Sequence, residues 1–169
     1  EIAHRLGIIA RISIRVNPDI DAKTHPYITT GMKENKFGID SKDIIEVFRS
    51  SAGMPNIDVI GIHSHIGSQI TEVQPYIDSV KYLGDLIEKI EKIGVNIRYL
   101  NFGGGYGVQY KNVLTHRYIP SEEDENVHYA SLGEHVESVI KLLSQFNKKL
   151  IIEPGRSLVA NAGILAGKV

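Results

Sequence analysis

Cysteine is absent from the 169 residues, which excludes disulfide staples, thiolate metal sites and a cysteine nucleophile. Such a composition suits a reducing, cytoplasmic setting. Also missing is any apolar run near the ~20 residues that a membrane-spanning helix needs, and residues 1–6 are charged rather than greasy. Neither a signal peptide nor an anchor is expected, and the chain reads as soluble. Charge of one sign is lacking too: 19 basic and 20 acidic residues give a formal net charge of −1, with no basic stripe for nucleic acid and no acidic tail. Small molecules are the partners that remain. No internal repeat or low-complexity block interrupts the sequence.

What is present is ordinary globular composition, 42% hydrophobic and 23% charged, enough for one domain with a real core over residues 1–169. Residues 11–17 alternate strictly, with Ile12, Ile14 and Val16 on one side and Ser13, Arg15 and Asn17 on the other. That is the period of a strand with one greasy and one polar face. Pro18 and Asp19 end it, and an aperiodic polar excursion runs to Asn35 before the short strand-like Lys36-Phe37-Gly38-Ile39. Asp40 or Ser41 is expected to cap a helix carrying Ile44, Ile45, Val47 and Phe48, stopped by Gly53-Met54-Pro55. A second strand is expected over 59–66, followed after a Gly-Ser turn by a helix from about 71 to 93. In it Ile77, Val80, Leu83, Ile87 and Ile90 recur at three- and four-residue steps, and Gly94 is its natural C-terminal cap.

A third strand over 97–102 runs straight into Gly103-Gly104-Gly105. The stretch 106–131, with His116, Glu122 and Asp124, reads as an exposed insertion. Leu132, Val136, Val139, Ile140, Leu142 and Leu143 then mark another helix. Residues 150–153 form a fourth strand closed by Pro154-Gly155, and Ile164-Leu165-Ala166 is expected to begin a fifth. Strand and helix in alternation imply a parallel sheet with right-handed crossovers, either a barrel or a doubly wound sheet. Because the sequence starts inside a helix-like segment and stops inside a strand-like one, it is expected to be a fragment of a larger protein.

In a closed parallel barrel, alternate strand residues point into the lumen and the others pack against outer helices. Arg15, Asn17, Gly61, His63, His65, Asn101 and Glu153 then point inward, and Ile60, Ile62, Ile66, Leu100, Phe102, Leu150 and Ile152 outward. Active sites of such barrels lie at the C-terminal strand ends, where this inward set is polar. Each member also has a purely structural reading: Arg15 and Glu153 as a buried ion pair, or either histidine as a satisfied lumen residue. Three consecutive glycines after a strand expose backbone N–H groups suited to a phosphate, and equally they make a tight turn. The triplet follows the penultimate candidate barrel strand and Glu153-Pro154-Gly155-Arg156 the last, positions where barrel phosphate sites recur.

Metal binding is not expected. His63 and His65 are two apart on one strand, but Glu153 is the one evident inward carboxylate, and Gly67-Ser68 suits phosphate better than metal. No Gly-x-Ser-x-Gly elbow supports a hydrolase, and Gly103-Gly104-Gly105-Tyr106-Gly107 lacks dinucleotide-binding spacing.

Six landmarks in order carry a resemblance: Ile14-Arg15-Val16-Asn17-Pro18; Thr24-His25 with Thr30-Gly31; Lys36-Phe37-Gly38-Ile39; His63-Ser64-His65-Ile66-Gly67-Ser68-Gln69; the triple glycine; and Glu153-Pro154-Gly155-Arg156. Across essentially its whole length the chain resembles the diaminopimelate decarboxylases, of the alanine-racemase-like barrel class of pyridoxal-phosphate enzymes. The resemblance implies an α/β fold: a partial (β/α)8 TIM-type barrel, alanine-racemase-like, without its first strands and without the family's carboxy-terminal β-domain. It implies pyridoxal 5'-phosphate as cofactor and decarboxylation of meso-2,6-diaminopimelate to L-lysine and CO2 as the reaction. Related decarboxylases of ornithine, arginine or carboxynorspermidine are the near alternative, and a non-catalytic pyridoxal-phosphate barrel the distant one.

The implied catalytic residues are His65 and Glu153. His65 stacks on the cofactor ring, Ser68 and Gly103, Gly104 and Gly105 hold the phosphate, and Glu153 pairs with the pyridine nitrogen. Gly155 and Arg156 complete the cofactor site, and Arg156 binds the substrate's distal carboxylate, a bidentate task suited to guanidinium. Arg15 approaches the cofactor or His65, and Lys36 serves a contact in a homodimer. The family's Schiff-base lysine lies on the first barrel strand, before this chain begins, so these residues alone are expected to be a catalytically silent part of an active enzyme.

Overall fold

The computed structural model describes residues 1–20, 37–108, 130–160, 162–163 and 166–168. The aperiodic excursion with Thr24, His25, Thr30, Gly31 and Lys36 lies largely outside these, as do most of the 106–131 insertion and Ile164-Leu165 of the expected fifth strand.

The chain opens with a single helical turn, α1 (Ile2–Arg5), and continues as β1 (Ala10–Val16), α2 (Ile44–Ala52), β2 (Ile57–Ser64), α3 (Gln74–Lys92), β3 (Tyr99–Asn101), α4 (Leu132–Leu143), β4 (Lys149–Ile151) and the four-residue α5 (Arg156–Val159). The strands form one parallel sheet in the order β1-β2-β3-β4. Sequential parallel neighbours joined through helices are the repeating unit of a β/α barrel.

The core lies between one face of this sheet and α2, α3 and α4. Ile14 and Val16 of β1, Val59 and Ile62 of β2, Leu100 of β3 and Phe102 just beyond it pack against Ile44, Phe48, Val80, Leu83, Ile87, Ile90 and Leu143. The helical stripe read from the sequence supplies most of the α3 contribution, with Ile77 half-buried at its edge. Gly94, at φ +87°, closes α3: its N–H donates to the Glu91 carbonyl at 2.9 Å and that of Val95 to Ile90 at 3.3 Å. These are the paired bonds that a left-handed glycine cap permits. At the start of α4, Ser131 and Glu134 form a reciprocal capping box.

Several boundaries differ from expectation. Neither Asp40 nor Ser41 caps α2, which begins at Ile44 after a turn in which the Asp43 N–H donates to the Asp40 carbonyl at 3.0 Å. Starting there puts Ile44 and Phe48, its two buried residues, on the sheet side. The second strand runs from 57 to 64 rather than 59 to 66, because its neighbour β1 ends at Val16, paired with Ser64. His65 and Ile66 therefore lie beyond the strand, and Ile66 packs on a separate small cluster of Ile70, Tyr76 and Tyr106.

Ile60 does not face the helices as expected. The register slips between Ile12↔Val59 and Ser13↔Gly61, so Ile60 is an extra residue and Val59 and Ile62 are the buried pair. The third strand contracts to three residues, and α3, which follows the second strand, begins at Gln74 rather than near 71, with Pro75 in the first turn. Paired β4 covers 149–151 rather than 150–153. Leu150 and Ile152 are 38% and 40% exposed, since no helix among the described residues packs on the end strand as α2 packs on β2.

Candidate functional site

Sheet register puts the polar lumen residues in one row. Arg15 of β1 is opposite His63 of β2, His63 is opposite Asn101 of β3, and Asn101 is opposite Ile151 of β4, two residues before Glu153. Alternation then carries these side chains away from the helix-packed core, as their neighbours Val16, Ile62 and Leu100 fill it.

Beyond the strands, three loops are fastened side by side. The Ile70 N–H donates to the Gly105 carbonyl at 2.9 Å, and the Gly107 N–H returns to the Ile70 carbonyl at 2.8 Å. Gln69 extends this pairing with its side chain, donating to the Val108 carbonyl at 2.7 Å and accepting the Val108 N–H at 3.2 Å. On the other side the Glu153 N–H donates to the Gly103 carbonyl at 2.7 Å.

The glycine triplet is where these loops crowd together. A Cβ on Gly103 would come within 2.8 Å of both the His65 Nδ1 and the Ser64 carbonyl; one on Gly104 would run into the Glu153 carbonyl, and one on Gly105 into the Gly67 carbonyl. Three glycines thus let the loops after β2 and β4 both touch one segment. Two of their amides are already engaged: Gly103 donates to Asn101 Oδ1 at 2.8 Å and Gly104 to His65 Nδ1 at 3.2 Å. Among the described residues the Gly105 N–H makes no hydrogen bond. These loop contacts match the tight-turn reading of the triplet, and they leave the Gly105 N–H as its one unpaired amide among the described residues.

Glu153 is held beside this segment. The Asn101 Nδ2 donates to its Oε1 at 2.8 Å, and the His63 Nε2 lies 3.7 Å from its Oε2, too far for a hydrogen bond. The Arg15–Glu153 ion pair considered as a structural reading does not form. Arg15 instead lies over the Phe37 ring, 5.5 Å from its centre, with its Nε buried and unpaired among the described residues. Half-buried Ser68 sits in the β2–α3 loop next to Gly67. Gly155 and Arg156 are exposed at the start of α5, beyond Pro154.

Burial lowers the pKa of His63 below its ordinary value; the Arg15 charge acts in the same direction and Glu153 opposes it. His65 is lowered as well, by burial first and then by Arg15 and His63. Both rings are therefore neutral near pH 7. Since the His65 Nδ1 accepts from Gly104, the ring proton sits on Nε2. The site is a neutral imidazole and a carboxylate on either side of a glycine segment.

Sequence reasoning put Asn101 in the lumen but gave it no task, although it touches both Glu153 and Gly103. It gave Gln69 none either, and left Tyr76 unremarked. Nothing in residue type marks Asn101 or Gln69 as clips; their roles depend on which loop lies alongside.

The family model for "Pyridoxal-dependent decarboxylase, pyridoxal binding domain" matches residues 1–160. The chain is 44% identical to a diaminopimelate decarboxylase of Neisseria meningitidis over all of its own length and 38% of that protein's. It is 42% identical to one of Aquifex aeolicus, over all of its own length and 37% of the relative's. A crystal structure of diaminopimelate decarboxylase from Helicobacter pylori complexed with L-lysine superposes with a TM-score of 0.78 at 38% identity, over 94% of this chain and 37% of that one. The chain spans little more than a third of the length of these proteins, and its parallel sheet is an arc of the alanine-racemase-like barrel they share.

Proposed function

Because the chain belongs to the pyridoxal-dependent decarboxylases through their pyridoxal-binding domain, we propose that it is the cofactor seat of a diaminopimelate decarboxylase, acting in lysine biosynthesis on meso-2,6-diaminopimelate. The observation that carries this reading is the clip of Asn101 on Glu153 and Gly103, which holds a carboxylate at a fixed place beside a glycine loop. Pyridoxal 5'-phosphate needs such a pair: a carboxylate for its ring nitrogen at one end, and close-approach amides for its phosphate at the other.

The residues fit the group. The Gly105 amide has no partner among the described residues, and the missing side chains of the three glycines let the loops carrying His65 and Glu153 close on this segment, where a Cβ would collide with them. Gly103, Gly104, Gly105 and Ser68 would hold the phosphate, with Gly155 and Arg156 closing the site. Glu153 would keep the proton on the pyridine nitrogen. Neutral His65 would lay its ring against the cofactor face, fixed in orientation by the Gly104 N–H. Arg156 would take the substrate's distal carboxylate through its guanidinium fork. Bound pyridoxal phosphate supplies the electron sink that loss of CO2 demands.

An amino-acid substrate, a homodimer and a cytoplasmic setting belong to the same reading, as does a single cofactor-binding unit over 1–169. The experiment is CO2 release by the full-length protein, loaded with pyridoxal phosphate, from meso-diaminopimelate, ornithine, arginine and carboxynorspermidine in parallel. Release from diaminopimelate is expected; its absence alongside release from another substrate would move the assignment to that branch. Cofactor bound with no release from any of them would leave a carrier barrel.

A further inference from the structure

Tyr76 lies in the first turn of α3, 3% exposed, and its hydroxyl donates to the Gly104 carbonyl at 3.1 Å. Its ring is fixed from two sides. Tyr106 stacks on it at 5.1 Å with 12° between planes, and His135 of α4, fully buried, meets it edge-on at 5.0 Å. His135 is itself held by its Nδ1 near the Ser131 carbonyl at 2.8 Å. Burial raises the Tyr76 pKa, so the hydroxyl keeps its proton and is a permanent donor. A helix of the outer layer thus reaches through to one carbonyl of the glycine loop.

The consequence follows from peptide geometry. The unit joining Gly104 to Gly105 is planar and trans, so its C=O and N–H point in opposite directions. Fastening the Gly104 carbonyl toward Tyr76, on the helix side, turns the Gly105 N–H away from the helices and toward the strand ends. That amide is the one of the triplet with no partner among the described residues. Without the hydroxyl, two glycines in sequence would leave this peptide free to rotate, since neither carries a Cβ to restrict it.

The geometry points to Tyr76 as a positioning residue that aims the Gly105 amide at the phosphate of the cofactor, an assignment resting on the cofactor reading above. It acts on the phosphate end alone. Ring contacts through His65 and Glu153 do not pass through this peptide.

The test is the Tyr76→Phe variant of the full-length protein, which removes one hydroxyl and keeps the stacked ring. Retention of pyridoxal 5'-phosphate and of pyridoxal, which lacks the phosphate, is measured by absorbance after dilution. The variant is expected to release pyridoxal phosphate roughly three- to tenfold more readily, the worth of one hydrogen bond, with pyridoxal unchanged. Equal weakening for both ligands, or no change for either, overturns the inference. Should the variant not fold, the wild-type Gly105 amide resonance decides. It is expected to shift with pyridoxal phosphate and with inorganic phosphate, but not with pyridoxal, and a stationary resonance in a loaded protein overturns it. A wild-type protein that holds pyridoxal phosphate no better than pyridoxal would instead overturn the cofactor reading itself.

Discussion

The side-chain amide of Asn101 donates to the Glu153 carboxylate at 2.8 Å and, through its oxygen, accepts the Gly103 N–H at the same distance. One residue therefore sets the position of a carboxylate relative to a glycine loop. Asn101→Asp is expected to lower kcat at least tenfold, because it replaces a donor with a second negative charge beside Glu153. Asn101→Ala is expected to lower it less, since it loosens Glu153 without repelling it. Steady-state kinetics with saturating cofactor check the order, and Asp equal to wild type would sink the clip. Glu153→Gln is expected to keep the cofactor and lose most turnover, as an amide cannot hold the pyridine proton as a carboxylate does. Unchanged kcat would remove Glu153 from that task.

His63 and His65 are two residues apart yet differ in kind. His63 lies within the strand, paired across the sheet with Arg15 and Asn101. His65 lies past the strand end, with its ring fixed by the Gly104 N–H. His65→Ala is expected to weaken cofactor retention more than His63→Ala, read by the absorbance of bound pyridoxal phosphate after gel filtration. Equal losses would mean that ring orientation at 65 is not what holds the cofactor.

Gly104 and Gly155 separate packing from mere presence in a loop. A methyl at Gly104 would collide with the Glu153 carbonyl, a backbone atom that cannot swing aside, whereas one at Gly155 would meet nothing within 4 Å. Gly104→Ala is expected to destabilise the protein by about 2 kcal/mol or more. Gly155→Ala is expected to stay within about 0.5 kcal/mol. Urea unfolding midpoints of the two variants measure the contrast, and similar midpoints would show that the loops can separate without penalty.

Periodicity made the elements legible because burial on one face leaves a repeat in the sequence: Val80, Leu83, Ile87 and Ile90 in α3, and Ile14 and Val16 in β1. It failed at Ile60, where a bulge inserts one residue so that Val59 rather than Ile60 is buried while Ile62 and His63 keep their expected faces, a shift that β-alternation cannot reveal in advance. Strand ends were misjudged at His65 for a related reason, since a strand stops where its partner stops and not where its own pattern fades. The lumen row of Arg15, His63 and Asn101 was readable from alternation. What each side chain holds was not, because Gln69 finds Val108 and Tyr76 finds Gly104 only once loops distant in sequence are brought together.

Acid sensitivity follows from the lowered pKa values of His63 and His65, for which burial is the first cause. A histidine whose folded-state pKa lies below about 6.5 takes up its proton more readily in the unfolded chain. Stability from this source is therefore fully present above that value, and is lost as pH falls from about 6.5 toward the folded-state pKa values. The urea midpoint of the cofactor-free protein is expected to fall between pH 7.5 and pH 5.5. In the His63→Asn, His65→Asn double variant the fall should be smaller, because asparagine has no proton to gain. Arg15 sharpens the effect, since its charge opposes protonation of both rings, so Arg15→Gln should also flatten the profile. Parallel profiles for wild type and the double variant would place the acid-labile groups elsewhere in the molecule.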